Sequence, residues 1–160
     1  MKSLKMIILS MFAIVAMLTC TVKAQNLVSH QSKALGVNVA VPAYMTLAKD
    51  NNEILLFQSD NLVFSLHPIP TANLTDEAIT EMITKTVTEA GMDITKAESD
   101  NLKTQTMVGS YVVASNDGVN LIVGMCAEGD NAPVAYLFTV TFADAQAEDA
   151  GCIIGSIEKQ

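Results

Sequence analysis

The pattern of hydrophobic and polar positions is clearest between residues 119 and 142. Two apolar runs there are joined by the polar turn Glu128-Gly129-Asp130-Asn131, which predicts the central hairpin of a sheet. In the second run, successive side chains point to opposite sides of a strand and so form two different faces. One face is bulky and is expected in the core, whereas the other is small and mixed and is expected to be half covered or solvated. The bulky face consists of Val134, Tyr136, Phe138, Val140 and Phe142, and the other face consists of Ala135, Leu137, Thr139 and Thr141.

Shorter segments with alternating or strand-forming sequence predict further strands on both sides of this hairpin. They cover residues 35–41, 53–58, 62–69 and 106–115. The turns between most of these segments are short, which favours antiparallel neighbours. Asp117-Gly118 predicts a two-residue hairpin turn, because both residues tolerate a positive φ angle. The charged segment 93–105 is typical of an exposed edge strand or an irregular crossover.

Two other segments have the period of a helix. Thr75 is a predicted N-cap, and Gly91 ends the run that follows it. The first apolar stripe contains Ile79, Met82, Ile83, Val87 and Ala90, and the second contains Ala147, Ala150, Ile153, Ile154 and Ile157. We expect both stripes to pack on the bulky sheet face, with a charge at Ile83 among the most damaging changes. The predicted fold class is α+β, an antiparallel β-sheet of about six or seven strands packed against two helices.

The first 24 residues have the features of a secretory signal peptide. Lys2 and Lys5 precede an apolar run, and Val22-Lys23-Ala24 forms a cleavage site before Gln25. The apolar run has about 13 residues, fewer than the ~20 that a membrane-spanning helix needs. Two alternatives are an uncleaved N-terminal anchor and a lipoprotein acylated at Cys20.

These features divide the chain into three parts. They are a signal peptide (1–24), a flexible leader (25–33) and a single α+β domain (34–160). The predicted location is periplasmic or extracellular, as in a Gram-negative organism, with attachment to the envelope only if Cys20 is lipidated.

The charge of the exported chain excludes some partners. Without residues 1–24 it has six lysines, no arginine and seventeen acids, a net charge of −11. Nucleic acids and anionic membranes are bound largely through Lys and Arg, so neither is an expected partner. The acidic residues are expected to keep an exported domain soluble.

Two cysteines follow the signal peptide, Cys126 in a predicted strand and Cys152 in a predicted helix. A disulfide between them is possible, because exported proteins fold where disulfides persist, and it would tie the last helix to the central strand. Both residues would equally suit small buried apolar positions.

No residues form a recognisable catalytic, cofactor-binding or metal-binding motif. His30 lies in the leader and His67 in a predicted strand, without the spacing of a zinc site. His67 is therefore expected to be an exposed or hydrogen-bonded strand residue, although a role as base or ligand, or as partner of a cysteine nucleophile, stays open.

Two acidic groups do not follow the spacing of a calcium loop. They are Asp144 with Glu148 and Asp149, and the turn at 128–131. Solvated surface charges are the better interpretation of both groups. Asp144 and Glu148 could also form an acid–base pair, but solvated charges are again the better interpretation.

Two short motifs suggest a family. An early strand ends in Val41-Pro42-Ala43-Tyr44, and the last helix ends in Ile154-Gly155-Ser156-Ile157. With the order of elements, residues 35–157 resemble the α/β/α sandwich of the photosystem II extrinsic protein PsbP and its bacterial relatives. The resemblance implies a non-enzymatic binding or assembly role and no cofactor.

The predicted function is therefore that of a secreted or periplasmic, non-catalytic binding or assembly domain. Its partner would be another protein or a small apolar ligand held between the sheet and the helices, and the face of Ala135, Leu137 and Thr139 would be available for a homodimer. The alternatives are a lipid-anchored envelope protein and a hydrolase-type enzyme whose site has no recognisable motif.

Overall fold

The computed structural model describes residues 26–160 as two antiparallel sheets and two α-helices. The strands are β1 (Leu27–Ser32), β2 (Val37–Pro42), β3 (Thr46–Asp50), β4 (Leu55–Gln58), β5 (Leu62–Pro70), β6 (Glu98–Lys103), β7 (Val108–Asn116), β8 (Val119–Ala127), β9 (Val134–Ala143) and β10 (Glu158–Lys159), and the helices are α1 (Asp76–Glu89) and α2 (Ala147–Gly155). Short 3₁₀ turns lie at Thr71–Asn73, Ile94–Lys96 and Asp144–Gln146. The predicted α+β class is confirmed. The predicted signal peptide and Cys20 lie outside the described residues.

The larger sheet has seven strands in the order β3-β4-β5-β9-β8-β7-β6. The predicted hairpin of β8 and β9 lies at its centre, in a register that pairs Val119 with Ala143 and Cys126 with Tyr136. The charged segment 93–105 was interpreted as an exposed edge strand or an irregular crossover. The first interpretation is confirmed, because this segment forms the edge strand β6. The turn at Asp117 and Gly118 has φ angles of 49° and 79°, so the expected positive φ values are confirmed.

The bulky face of β9 lies in the main core, as predicted. Phe138 and Val140 are 0 % exposed, whereas Thr141 on the other face is exposed. The smaller sheet, in the order β1-β2-β10, and helix α2 cover this face. The main core contains residues from both sheets and from α2, among them Val37, Val39, Leu55, Phe64, Leu66, Phe138, Val140, Ile153 and Ile157.

Helix α1 packs on the opposite face of the large sheet, so the prediction that both helices share one face is wrong. Its fully buried residue is Val87, which joins Leu121 and Val123 of β8 in a second, smaller core. Ile83 is only partly buried there. The reason lies in β8, whose continuous apolar run supplies side chains to both faces, as in strands buried on two sides. Since α2 and the small sheet fill the bulky face, α1 packs on the second face.

The segment predicted as a flexible leader forms strand β1, which is a second correction. It pairs antiparallel with β2, from Leu27 opposite Pro42 to Ser32 opposite Val37. Only Ser32 of this strand is buried, so no apolar stripe marks it in the sequence. Backbone pairing and polar contacts hold β1 in place. The exposed edge strand β3 was missed for the same reason.

Local signals set the ends of both helices. The hydroxyl oxygen of Thr75 accepts a hydrogen bond from the backbone N–H of Ala78 at 3.2 Å, which is the predicted N-cap of α1. At the end of α2, Ser156 Oγ accepts from the backbone N–H of Ala40 at 2.8 Å and so fixes α2 to β2. Among residues 26–160, neither helix has the length and apolar content that crossing a bilayer requires.

Candidate functional site

A polar groove of about 490 Å³ opens at one end of the large sheet, where the β2–β3 turn, the β4–β5 turn and the 3₁₀ turn before α2 meet. Its volume lies within the range of small-molecule sites. We call it the polar groove, and it is lined by Tyr44, Thr46, Ser59, Asp60, Asn61 and Gln146.

Backbone hydrogen bonds hold the walls of the polar groove. In the β2–β3 turn, the N–H of Met45 donates to the carbonyl of Pro42 at 2.9 Å. In the β4–β5 turn, the N–H of Ser59 donates to the carbonyl of Leu62 at 2.8 Å. The carbonyl of Asn61 accepts from the N–H of Ala143 at 3.1 Å, which joins the second turn to the end of β9. The walls are therefore extensions of the sheets and not free loops.

Tyr44 connects the groove to a buried carboxylate. Its hydroxyl donates a hydrogen bond of 2.5 Å to Oδ2 of Asp149, which lies in the first turn of α2 and is 8 % exposed. Desolvation by burial, the hydrogen bond and the negative charge of Asp149 all raise the pKa of Tyr44 above its ordinary value. Tyr44 is itself 53 % exposed, so its hydroxyl end is bound while much of the residue faces solvent.

Two buried acceptor atoms, one in this pair and one in Gln146, have no hydrogen-bond partner among the described residues. They are Oε1 of Gln146 and Oδ1 of Asp149. A buried polar atom without a partner costs free energy, so each favours the approach of a donor. The Ser59 hydroxyl donates its proton to the carbonyl of Leu62 at 3.2 Å. Its oxygen can therefore only accept a further hydrogen bond, as the two atoms above can.

His67 lies away from the polar groove, on the solvated face of β5. Leu62, Phe64 and Leu66 of the same strand are fully buried on the other face. Burial lowers the pKa of His67, a hydrogen bond involving the backbone of Glu53 opposes this, and the charge of Lys49 lowers it further. Because Cys126 belongs to the main core, the sheet separates it from His67 and the two form no catalytic pair.

Of the two possibilities left open for Cys126, a disulfide with Cys152 and a buried free thiol, the structure has the second. Cys126 has a free thiol whose Sγ lies 3.5 Å from Sδ of Met107, and burial raises its pKa to about 12. The physical reason is orientation, because the Cys126 thiol is directed at Met107 beside β7 whereas α2 packs on β2 and β9.

A second polar cluster, which the sequence did not indicate, joins the two sheets. Asp50 of β3 accepts hydrogen bonds from Ser32 Oγ at 2.5 Å and from His30 Nε2 at 2.8 Å when that nitrogen carries a proton. Although these are the residue types of a hydrolase triad, Ser32 is fully buried and bonds to the aspartate instead of the histidine. The cluster therefore has a structural role, which is to attach β1 to the edge of the large sheet.

The acidic residues considered as calcium ligands or as an acid–base pair have different surroundings. Asp144 Oδ1 accepts from Asn120 Nδ2 at 2.7 Å, Asp149 is buried against Tyr44, and Glu148 is exposed. Within residues 26–160 no three side chains of the metal-binding types converge. Sequence reasoning missed the polar groove because its walls come from three turns that are distant in the chain, and no sequence signal connects them.

Comparisons with known proteins name no family. Neither a protein-family model nor a curated protein matches the chain. A crystal structure at 1.50 Å resolution from Bacteroides thetaiotaomicron VPI-5482 matches 82 % of this chain with 14 % sequence identity and a TM-score of 0.48. The chain covers 48 % of that protein's length, about half. The resemblance to the PsbP family stays a prediction.

Proposed function

We propose that this protein is an exported, non-catalytic binding domain and that its ligand occupies the polar groove. The observation that carries this proposal is a buried acceptor without a partner among the described residues, Gln146 Oε1, on a side chain that lines a groove with hydrogen-bonded walls. A ligand with N–H or O–H donors would satisfy this acceptor. Preformed walls also reduce the entropy lost on binding.

The ligand is polar in this proposal, which changes the expectation of an apolar molecule between the sheet and the helices. That space is filled by the chain's own side chains, since Phe64, Phe138 and Ile153 are 0 % exposed. Close-packed interiors have little room for a guest. The polar groove, in contrast, is open to solvent at the edge of the core.

The resemblance to the PsbP family is compatible with this role. One of its two motifs supplies Tyr44, which lines the polar groove. The other supplies Ser156, which holds the end of α2 to β2. Both motifs therefore act where α2 meets the small sheet and the groove. An assembly or binding role remains the function that the resemblance implies.

Binding can be tested by NMR on the ¹⁵N-labelled chain from Gln25, titrated with a panel of small polar fragments. We expect shift changes for Ser59, Asp60 and Gln146 and a loss of response in Gln146→Leu, which removes one unpartnered acceptor. Asp130→Asn is the matched control, because this exposed residue lies in the turn at the other end of β9. Responses confined to other surfaces, or chemical conversion of a bound fragment, would contradict the proposal.

Export is tested separately by expressing the complete sequence in a Gram-negative host and measuring the mass of the product. A mature chain that begins at Gln25 is expected from the signal sequence. An acylated N-terminal Cys20 would establish the lipid-anchored alternative. An uncut chain in the cytoplasm would overturn the exported location.

A further inference from the structure

We propose that the polar groove selects a cationic primary amine, an inference that rests on the proposed binding function and names the chemical class of its ligand. The groove combines an aromatic side chain, a carboxylate and an excess of hydrogen-bond acceptors, and within residues 26–160 none of its lining residues is basic. An ammonium group carries three donors and no acceptor, so it complements such a surface.

The hydrogen bonds already present explain the excess of acceptors. Tyr44 and Ser59 each have one hydroxyl proton, and each donates it within the protein, to Asp149 and to the carbonyl of Leu62. Both hydroxyl oxygens can then only accept from a ligand. Gln146 Oε1 is a third acceptor, without a partner among the described residues, and Nε2 of the same side chain is a donor. Thr46 and Asn61 can donate or accept, so they fit any polar ligand.

Charge distinguishes an ammonium group from a neutral donor. Asp60 presents an exposed carboxylate in the groove, and the carboxylate of Asp149 lies behind the hydroxyl of Tyr44. Hydrogen bonds between charged partners are about twice as strong as neutral ones. The half-exposed Tyr44 adds a ring whose face attracts cations. The net charge of the exported chain, −11, acts in the same direction at longer range.

An anionic ligand is the opposing possibility, because Gln146 is the residue immediately before α2 and helix N-termini attract anions. Glu148 and Asp149 already place two carboxylates in the first turn of this helix. In the part of the chain that the structure describes, no lysine lines the polar groove to offset them. An anion there would meet more negative than positive charge.

The test uses three probes of similar shape and different charge, n-butylamine, n-butanol and butyrate, at pH 7. Each is titrated into the ¹⁵N-labelled chain from Gln25, and dissociation constants are fitted to the shifts of groove residues. We expect n-butylamine to bind at least about tenfold more tightly than either other probe, since a hydrogen bond between charged partners is about twice as strong as a neutral one. Asp60→Asn should weaken its binding severalfold, whereas Asp130→Asn should not.

The outcomes separate this inference from the proposed function. Preferential binding of n-butylamine in the polar groove, weakened by Asp60→Asn alone, supports the inference. Equal or tighter binding of n-butanol or butyrate at the same residues overturns the inference and leaves a binding groove. If none of the probes shifts groove residues, the inference is overturned, and the fragment panel then decides whether the binding function fails as well.

Discussion

At the scale of single residues, the contact between Tyr44 and Asp149 connects stability to the candidate site. A carboxylate that is 8 % exposed requires donors, and the described residues supply one through the Tyr44 hydroxyl. The same hydrogen bond uses the proton that Tyr44 would otherwise offer to a ligand. One interaction therefore holds the start of α2 and determines the chemistry of the groove.

Removal of that hydroxyl should destabilise the fold. Tyr44→Phe is expected to lower the free energy of unfolding by about 1 to 3 kcal/mol, because it leaves a buried carboxylate without a donor. Tyr111→Phe is the matched control, since the hydroxyl of Tyr111 donates to the exposed Asp100 over 3.4 Å and should matter less. Urea unfolding at pH 7 measures both. Equal losses for the two variants would contradict the role assigned to Asp149.

The pH dependence of stability should show the environment of His67. Its pKa is lowered by burial, so between the folded and the ordinary value of about 6.5 the unfolded chain binds more protons. The stability from neutral His67 is fully present above about pH 6.5 and is lost as the pH falls through the folded pKa. His67→Gln should therefore lose less stability than the natural chain between pH 7.5 and pH 5. Parallel pH profiles would contradict this.

At the scale of elements, neighbouring strands at the centre of the large sheet come so close that glycine is required at particular positions, and Gly124 is one of them. A Cβ atom at Gly124 of β8 would lie 2.5 Å from the carbonyl oxygen of Ser110 and 2.6 Å from the ring of Phe138. A Cβ atom at Gly155, the last residue of α2, would have no neighbouring atom within 4 Å. The glycine in the helix is therefore not needed for close packing, whereas the glycine in the strand is.

The same substitution should have opposite effects at these two positions. Gly124→Ala is expected to destabilise the protein by about 1 to 3 kcal/mol, because the ring and the neighbouring strand must shift. Gly155→Ala is expected to stabilise it by up to about 1 kcal/mol, because alanine has the higher helix propensity. Thermal unfolding of both variants is the measurement. A Gly124→Ala variant of unchanged stability would show that β7 and β9 can move enough to accommodate the added methyl group on β8.

At the scale of the whole molecule, the two sheets depend on polar attachments as well as on the shared core. Asp50 bonds to His30 and Ser32 of β1, and Lys159 of β10 donates through its backbone N–H to Thr106 Oγ1 at 2.7 Å. The first attachment joins the small sheet to one side of the large sheet, and the second joins it to the loop before β7. The small sheet is thus fixed at both ends.

Removal of β1 should therefore affect the entire fold. A chain that begins at Ala34 is expected to be less stable than one that begins at Gln25 by on the order of 3 kcal/mol or more, because it loses the β1–β2 pairing and leaves Asp50 without Ser32. Chemical unfolding followed by circular dichroism compares the two chains. Equal midpoints would mean that residues 25–33 are dispensable, as a flexible leader would be.

Elements with a strong apolar period could be predicted from the residues alone. The faces of β9, the stripe of α1, the cap at Thr75 and the turn at Asp117 were predictable because each depends on residues near one another in the chain. Strands β1 and β3 were not predictable, because their side chains are mostly exposed and pairing with distant strands holds them.

The tertiary structure alone decided the side of the sheet on which α1 packs, the state of Cys126 and the location of the polar groove. Each depends on which distant segments come together, and residue spacing carries no such information. Asp149 is the clearest case, since in the sequence it is one of several acids near a helix start. Only the folded chain buries it against Tyr44, more than 100 residues earlier, and leaves an unpartnered acceptor beside an open groove.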